Sequence, residues 1–135
     1  DLRTEALERG LPLNVSGGFH SRLMQSTADQ LAVELANTPF RDAEIPIVAN
    51  VTADYVRSAG EIRESLTKQI AGSVRWDESI ERMVADGIGL FVEVGPGKVL
   101  AGLIKRITDA AEVRSVGDAA SFDGFVSYLR GDQQS

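Results

Sequence analysis

The sequence contains no cysteine, which excludes a disulfide scaffold, a thiol nucleophile, a cysteine-ligated zinc and an iron–sulfur cluster. That absence fits a reducing compartment. There is one histidine, and no carboxylate cluster at ligand spacing stands near it, so no metal is expected. Positive charge is in short supply: 14 Lys and Arg against 20 Asp and Glu leave a net charge of -6. The long-range field therefore repels polyanions, no basic stripe suggests a duplex-binding face, and nucleic acid is not an expected partner. Apolar runs fall far short of the ~20 residues that cross a bilayer, and the opening DLRTEALERG is charged rather than signal-like. The chain reads as cytoplasmic, with no membrane partner.

Several catalytic signatures are missing as well. No serine sits in a G-x-S-x-G nucleophile elbow: Ser16 has Gly18 at +2 but Asn14 at -2, and Ser58 has Gly60 at +2 but Val56 at -2. The phosphate-binding fingerprints G-x-G-x-x-G and G-x-x-x-x-G-K-[ST] are also absent.

What remains is an ordinary globular composition, with 43% hydrophobic and 25% charged residues in a chain of 135, enough for one core. No repeat or long linker is visible, and Gly, Pro and Asn fall at intervals suited to alternating helices and strands, an α/β pattern. Residues 2–9 read as the end of a helix closed by Gly10, and 11–15 as a short strand. Because the chain opens at Asp1 in such a helix end, it is expected to be a piece of a longer protein. A polar loop at 16–21 leads into a helix over 22–37, where Met24, Ala28, Leu31 and Leu35 share one face.

A second strand is expected at 45–49, a connection at 50–60, and a helix at 61–71 through Ile62, Leu66 and Ile70. Asp77 is the expected N-cap of a helix to residue 86, with Ile80, Met83 and Val84 inward and Gly87 as its left-handed stop. Then LFVEV at 90–94, a Gly95-Pro96-Gly97 turn and a helix at 98–108 form the strand–turn–helix unit of a parallel sheet. A last strand at 113–116 and a last helix at 118–130, packed through Phe122, Phe125, Val126 and Leu129, complete the pattern. Residues 131–135 read as a frayed tail.

His20 is the outstanding candidate for chemistry. It lies in a loop between a strand and a helix, flanked by Gly17, Gly18, Phe19 and Ser21, where α/β folds place reactive groups. An imidazole can take a proton from a hydroxyl and return it at neutral pH; a loop histidine without a role is the plain alternative. The Gly95-Pro96-Gly97 turn either exposes backbone N–H groups to a phosphate at the following helix or is a tight structural turn. On that helix Lys98 and Lys105 lie opposite the apolar face with Arg106 nearby. They form either a docking patch for an acidic partner or a solvated face.

Taken together, the motifs resemble the C-terminal part of the malonyl-CoA:acyl carrier protein transacylases, the acyltransferases of fatty-acid and polyketide synthesis. The resemblance runs nearly end to end. LPLNVS at 11–16 leading into GGFHS at 17–21 is similar to the family's catalytic-histidine loop. PIVANV at 46–51, Gln69 before VRW at 74–76, and EVGPGKVL at 93–100 recur in the family's order and spacing.

The resemblance implies a ping-pong mechanism. A serine in a G-H-S-x-G elbow attacks the malonyl thioester, a histidine matching His20 acts as general base, and the phosphopantetheine thiol of acyl carrier protein displaces the resulting ester. It implies that the Gln69 main-chain carbonyl orients the imidazole, the part an Asp plays in hydrolase triads. Phe19 matches a bulky aromatic that crowds an α-methyl branch, favouring malonyl, while Gly18 stands where many relatives carry Ala. Asn50 falls among the implied substrate-binding residues, and Lys98, Lys105 and Arg106 among possible carrier or CoA contacts. Malonyl-CoA is substrate, and no bound cofactor is implied.

The implied fold is an α/β-hydrolase-like subdomain, a parallel sheet flanked by helices, with a ferredoxin-like subdomain inserted. Residues 1–15 would close the small subdomain and 16–130 supply the C-terminal stretch of the large one. The family's serine, its malonyl-binding arginine and its oxyanion hole belong to an N-terminal half not in this chain. The chain alone is therefore expected to be inactive, with that half as its partner. Two other readings stand beside this one: a non-catalytic carrier-protein or CoA-binding domain, and a fragment of another α/β-hydrolase-class enzyme.

Overall fold

The computed structural model of the chain describes residues 19–131. The helix expected at 2–9, the strand at 11–15, Gly18 and residues 132–135 lie outside the described residues. A single 3-10 turn, Arg22–Met24, opens into helix α1, Gln25–Asn37. Ala28 is its buried residue, with Met24, Leu31 and Leu35 half-buried on the same face, as the spacing predicts. Strand β1, Ile47–Ala49, follows.

The stretch expected to be a plain connection holds a second strand. Residues Asp54–Val56 form β2, antiparallel to β1 with Val48 opposite Tyr55. Three residues are too few for a period-two signal. The turn before β2 also hides itself, because its left-handed residue is Ala53, at φ 55°, where a hairpin usually carries Gly or Asn.

Helix α2, Ala59–Ala71, starts two residues before the expected boundary. Ser58 closes its N-terminus in a reciprocal box with Glu61, and Asp42 accepts the Ala59 N–H at 2.8 Å. Helix α3, Trp76–Ala85, corrects a further expectation: its N-cap is Arg75, without a side-chain cap bond. Asp77 and Glu78 stand in its first turn, where carboxylates meet the positive end of the helix dipole. Among the described residues Ile80 is the most deeply buried large side chain, at 1% exposure, and Gly87 takes the expected left-handed conformation at φ 90°.

The C-terminal unit is the expected one. Strand β3, Leu90–Val94, and strand β4, Glu112–Val116, pair in parallel, and helix α4, Val99–Ile107, lies between them in the chain. Helix α5, Ala119–Arg130, is capped by Asp118 and Ser121 and closed by Gly131 in the left-handed conformation at φ 74°. The observed class is therefore α/β, with two small sheets and flanking helices among the described residues.

Packing is thinner than the apolar pattern suggests. Among the described residues, the buried apolar ones are Ala28, Ala49, Ala53, Ile80, Ala101 and Ile104, mostly small. On α5, Phe125 and Val126 are half-buried as expected, but Phe122 is 56% and Leu129 62% exposed. Val99, on the apolar side of α4, is 71% exposed. Full burial of such a side chain is worth about 1.5–3 kcal/mol, and among the described residues nothing covers these three.

Candidate active site

The loop carrying His20 ends in a built turn. Ser21 is the N-cap of the 3-10 turn, its hydroxyl accepting the Leu23 N–H at 3.3 Å and its carbonyl the Met24 N–H at 3.0 Å. His20 itself sits at φ 55°, in the left-handed region, a conformation that costs a non-glycine residue on the order of 1–3 kcal/mol. The 3-10 turn that leads into α1 thus starts two residues after His20, and the left-handed backbone turns the ring toward a neighbouring helix.

That neighbour is α2. The His20 Nδ1 donates to the Gln69 carbonyl oxygen at 2.7 Å across 49 residues of sequence. A carbonyl only accepts, so the proton of the neutral ring resides on Nδ1 and the lone pair on Nε2. Gln69 lies in the last turn of α2, where main-chain carbonyls have no N–H one turn ahead to satisfy them. Gly72 ends the helix in an extended conformation. The acceptor is therefore a spare carbonyl at the C-terminal end of a 13-residue helix.

Asn50, in the turn between β1 and β2, lines a cavity of about 210 Å³ with Gln69, Ile47, Ser65 and Leu66. Its main-chain carbonyl accepts the Arg75 N–H at 2.8 Å. The Arg75 guanidinium donates to the Thr52 carbonyl at 2.8 Å and pairs with Glu78. Arg75 so ties the hairpin turn to the segment after α2. In the sequence Arg75 stands only within the VRW motif; its structural role depends on a contact 23 residues away that no spacing rule displays.

Phe19 is 58% exposed beside His20 in sequence, and Gly18 lies outside the described residues. Lys98 and Lys105 line one groove with Val113 and Ser115, about 350 Å³ in volume. Lys98 is the N-cap of α4 and adds to the lowering of the Asp118 carboxyl, after the Ser121 hydrogen bonds. Arg106 is exposed on α4 and does not line that groove.

The start of α4 holds an anion already. Glu93 of β3 accepts the Leu100 N–H at 3.0 Å and the Ala101 N–H at 2.9 Å, one through each carboxylate oxygen. The N–H groups that a phosphate would meet at the start of α4 are thus occupied by the chain's own carboxylate. Gly95 and Gly97, at φ 134° and 101°, make the turn that brings β3 back over α4. Among the described residues, no group of three or more His, Asp or Glu could hold a metal ion, and no helix is long and apolar enough to cross a membrane.

No family model matches the chain, but individual proteins do. It is 37% identical over 123 residues to the malonyl CoA-acyl carrier protein transacylase of Bacillus subtilis strain 168, covering 91% of this chain and 39% of that one. The Haemophilus influenzae transacylase is 43% identical over 122 residues, 90% of this chain and 39% of that protein. Among solved structures, an acyl carrier protein S-malonyltransferase from Vibrio cholerae superposes with TM-score 0.80 at 42% identity, covering 85% of this chain and 38% of its own. A malonyl-transacylase solved in complex with a type II PKS acyl-carrier protein gives TM-score 0.81 at 37% identity, covering 94% and 44%. The chain spans about two-fifths of the length of the curated relatives it matches. In sequence and in fold, this chain is similar to the C-terminal part of the malonyl CoA-acyl carrier protein transacylases.

Proposed function

We propose that this chain is the histidine-bearing part of a cytoplasmic malonyl-CoA:acyl carrier protein transacylase. The observation that carries the reading is the 2.7 Å hydrogen bond from His20 Nδ1 to the Gln69 carbonyl, which leaves Nε2 free to take a proton. In the first half-reaction Nε2 accepts the proton of a serine hydroxyl supplied by the N-terminal part, as the serine oxygen attacks the malonyl thioester. The coenzyme A sulfur leaves and takes the proton back from the imidazolium. In the second, Nε2 accepts the proton of the carrier's phosphopantetheine thiol, the sulfur attacks the ester, and the serine oxygen leaves with the returned proton.

One property of the site suits this cycle: Gln69 accepts from Nδ1 in both protonation states of the ring, so the imidazole need not reorient between steps and a main-chain carbonyl does the orienting. Phe19 is assigned to selectivity: its ring narrows the space for an α-methyl branch, with Gly18 before it and Asn50 on the substrate side. No bound cofactor takes part.

Intact-mass spectrometry tests the division of labour. This chain incubated with malonyl-CoA gains no mass, because it holds the base and not the nucleophile. Mixed with a serine-bearing N-terminal part, the malonyl mass appears on that part. Malonylation of this chain at an oxygen of its own would contradict the reading.

A second reading, carrier or coenzyme A binding through Lys98, Lys105 and Arg106, is favoured by the groove the two lysines share. It predicts binding that salt weakens, that charge reversal at the lysines abolishes and that His20→Ala leaves unchanged.

A further inference from the structure

The C-terminus of α1 is finished by side chains. Asn37 donates to the Val33 carbonyl at 3.0 Å and Thr38 to the Glu34 carbonyl at 2.8 Å. The helix has no basic residue in its last turn, the position where a cation meets the negative end of the dipole. Arg63 of α2 supplies it. Its Nε donates to the Leu35 carbonyl at 2.8 Å and its Nη2 to the Thr38 carbonyl at 3.3 Å. Its guanidinium lies over the Phe40 ring, 5.1 Å from the centroid. A planar fork held at three points fixes distance and orientation in a way a flexible ammonium does not.

These contacts stand at one end of an antiparallel pair. At the other end, His20, just ahead of α1, meets Gln69 in the last turn of α2. Sliding one helix along the other moves the Gln69 carbonyl by about 1.5 Å per residue of slip, enough to break a 2.7 Å hydrogen bond.

We propose that Arg63 is a positioning residue for His20: by tying α2 to the C-terminus of α1, it holds the register that puts the Gln69 carbonyl on Nδ1. The inference rests on the reading of His20 as the base, and its test reads the ring rather than the reaction. The chain has one histidine, so every imidazole signal in a ring-15N-labelled sample belongs to His20.

In the unsubstituted chain at a pH where the ring is neutral, the nitrogen shifts show the Nδ1–H tautomer as the dominant form. Arg63→Met, which keeps the stem and removes the fork, shifts the ring to a mixture of tautomers. Arg63→Lys, with one donor group in place of the fork, gives a smaller shift. Arg82→Met is the control: Arg82 lies on α3, pairs with Asp86 and stacks on Tyr55, and its loss leaves the His20 signals in place.

A folded Arg63→Met chain with unchanged His20 signals overturns the proposal, as does an Arg82→Met chain that moves them equally. Should the methionine variant not fold, the lysine variant decides: a partial shift supports the proposal and unmoved signals overturn it. A dominant Nε2–H form in the unsubstituted chain would instead contradict the site itself.

Discussion

Glu93 closes the helix that follows it in the chain: its two carboxylate oxygens accept the main-chain N–H groups of Leu100 and Ala101 at 3.0 and 2.9 Å. The bond couples the C-terminal half of β3 to the first turn of α4 across the Gly95-Pro96-Gly97 turn. Charge-assisted bonds of this kind are worth more than neutral ones. Glu93→Ala should lower unfolding free energy by about 1–2 kcal/mol. Glu93→Gln, which keeps one acceptor, should cost less. Urea denaturation of the three chains, with equal slopes, checks the order.

Two glycines predict opposite outcomes. A Cβ on Gly72 would stand 2.8 Å from the Lys68 carbonyl oxygen and 2.9 Å from Val51 Cγ2, too close to backbone for an easy adjustment. Gly72→Ala should destabilise by about 1–3 kcal/mol. Gly124, inside α5, has open space around its Cβ position. Gly124→Ala should stabilise by roughly 0.5–1 kcal/mol, through helix propensity and a less flexible unfolded chain. Thermal melts of both variants test the contrast.

The helix caps make stability fall in acid. Hydrogen bonds from the Ser58 main chain and hydroxyl hold the Glu61 carboxyl below its ordinary 4.5. The Ser121 hydroxyl and N–H hold Asp118 below its ordinary 3.8. A carboxyl lowered in the folded state binds fewer protons there than in the unfolded chain. Its contribution is therefore complete above the ordinary value and is lost as pH falls through the lower, folded one. Melting temperature should stay level from neutral pH down to the carboxylate range and drop below it. Glu61→Gln should make that drop shallower.

Periodic elements were visible in the sequence because side-chain burial writes them there. The apolar face of α1, the run of β3 and the Gly-rich turn before α4 all follow from spacing. The β1–β2 hairpin was not visible, since its left-handed turn residue is an alanine, Ala53. Nor were the α5 residues Phe122 and Leu129, whose spacing indicates an apolar face but not whether anything covers it. At the site, His20 stood out as the one histidine in a glycine-rich loop. Gln69 was reached through resemblance alone, because its contribution is a main-chain carbonyl and its side-chain type carries no signal. Arg63 and Arg75 act through main-chain carbonyls 28 and 23 residues away, which only the folded chain brings together, and Glu93 acts through N–H groups across the Gly95-Pro96-Gly97 turn.

The central claim is that His20 is the base for malonyl transfer. The most direct test grafts this chain, in place of the matching stretch, onto the Bacillus subtilis transacylase to which it is 37% identical. Single-turnover malonyl transfer is then compared with and without His20→Ala. A general base contributes about 10²–10⁴ in rate, so the account predicts a loss of at least about 10²-fold, with the protein still folded. Transfer at an undiminished rate in the His20→Ala protein would contradict it.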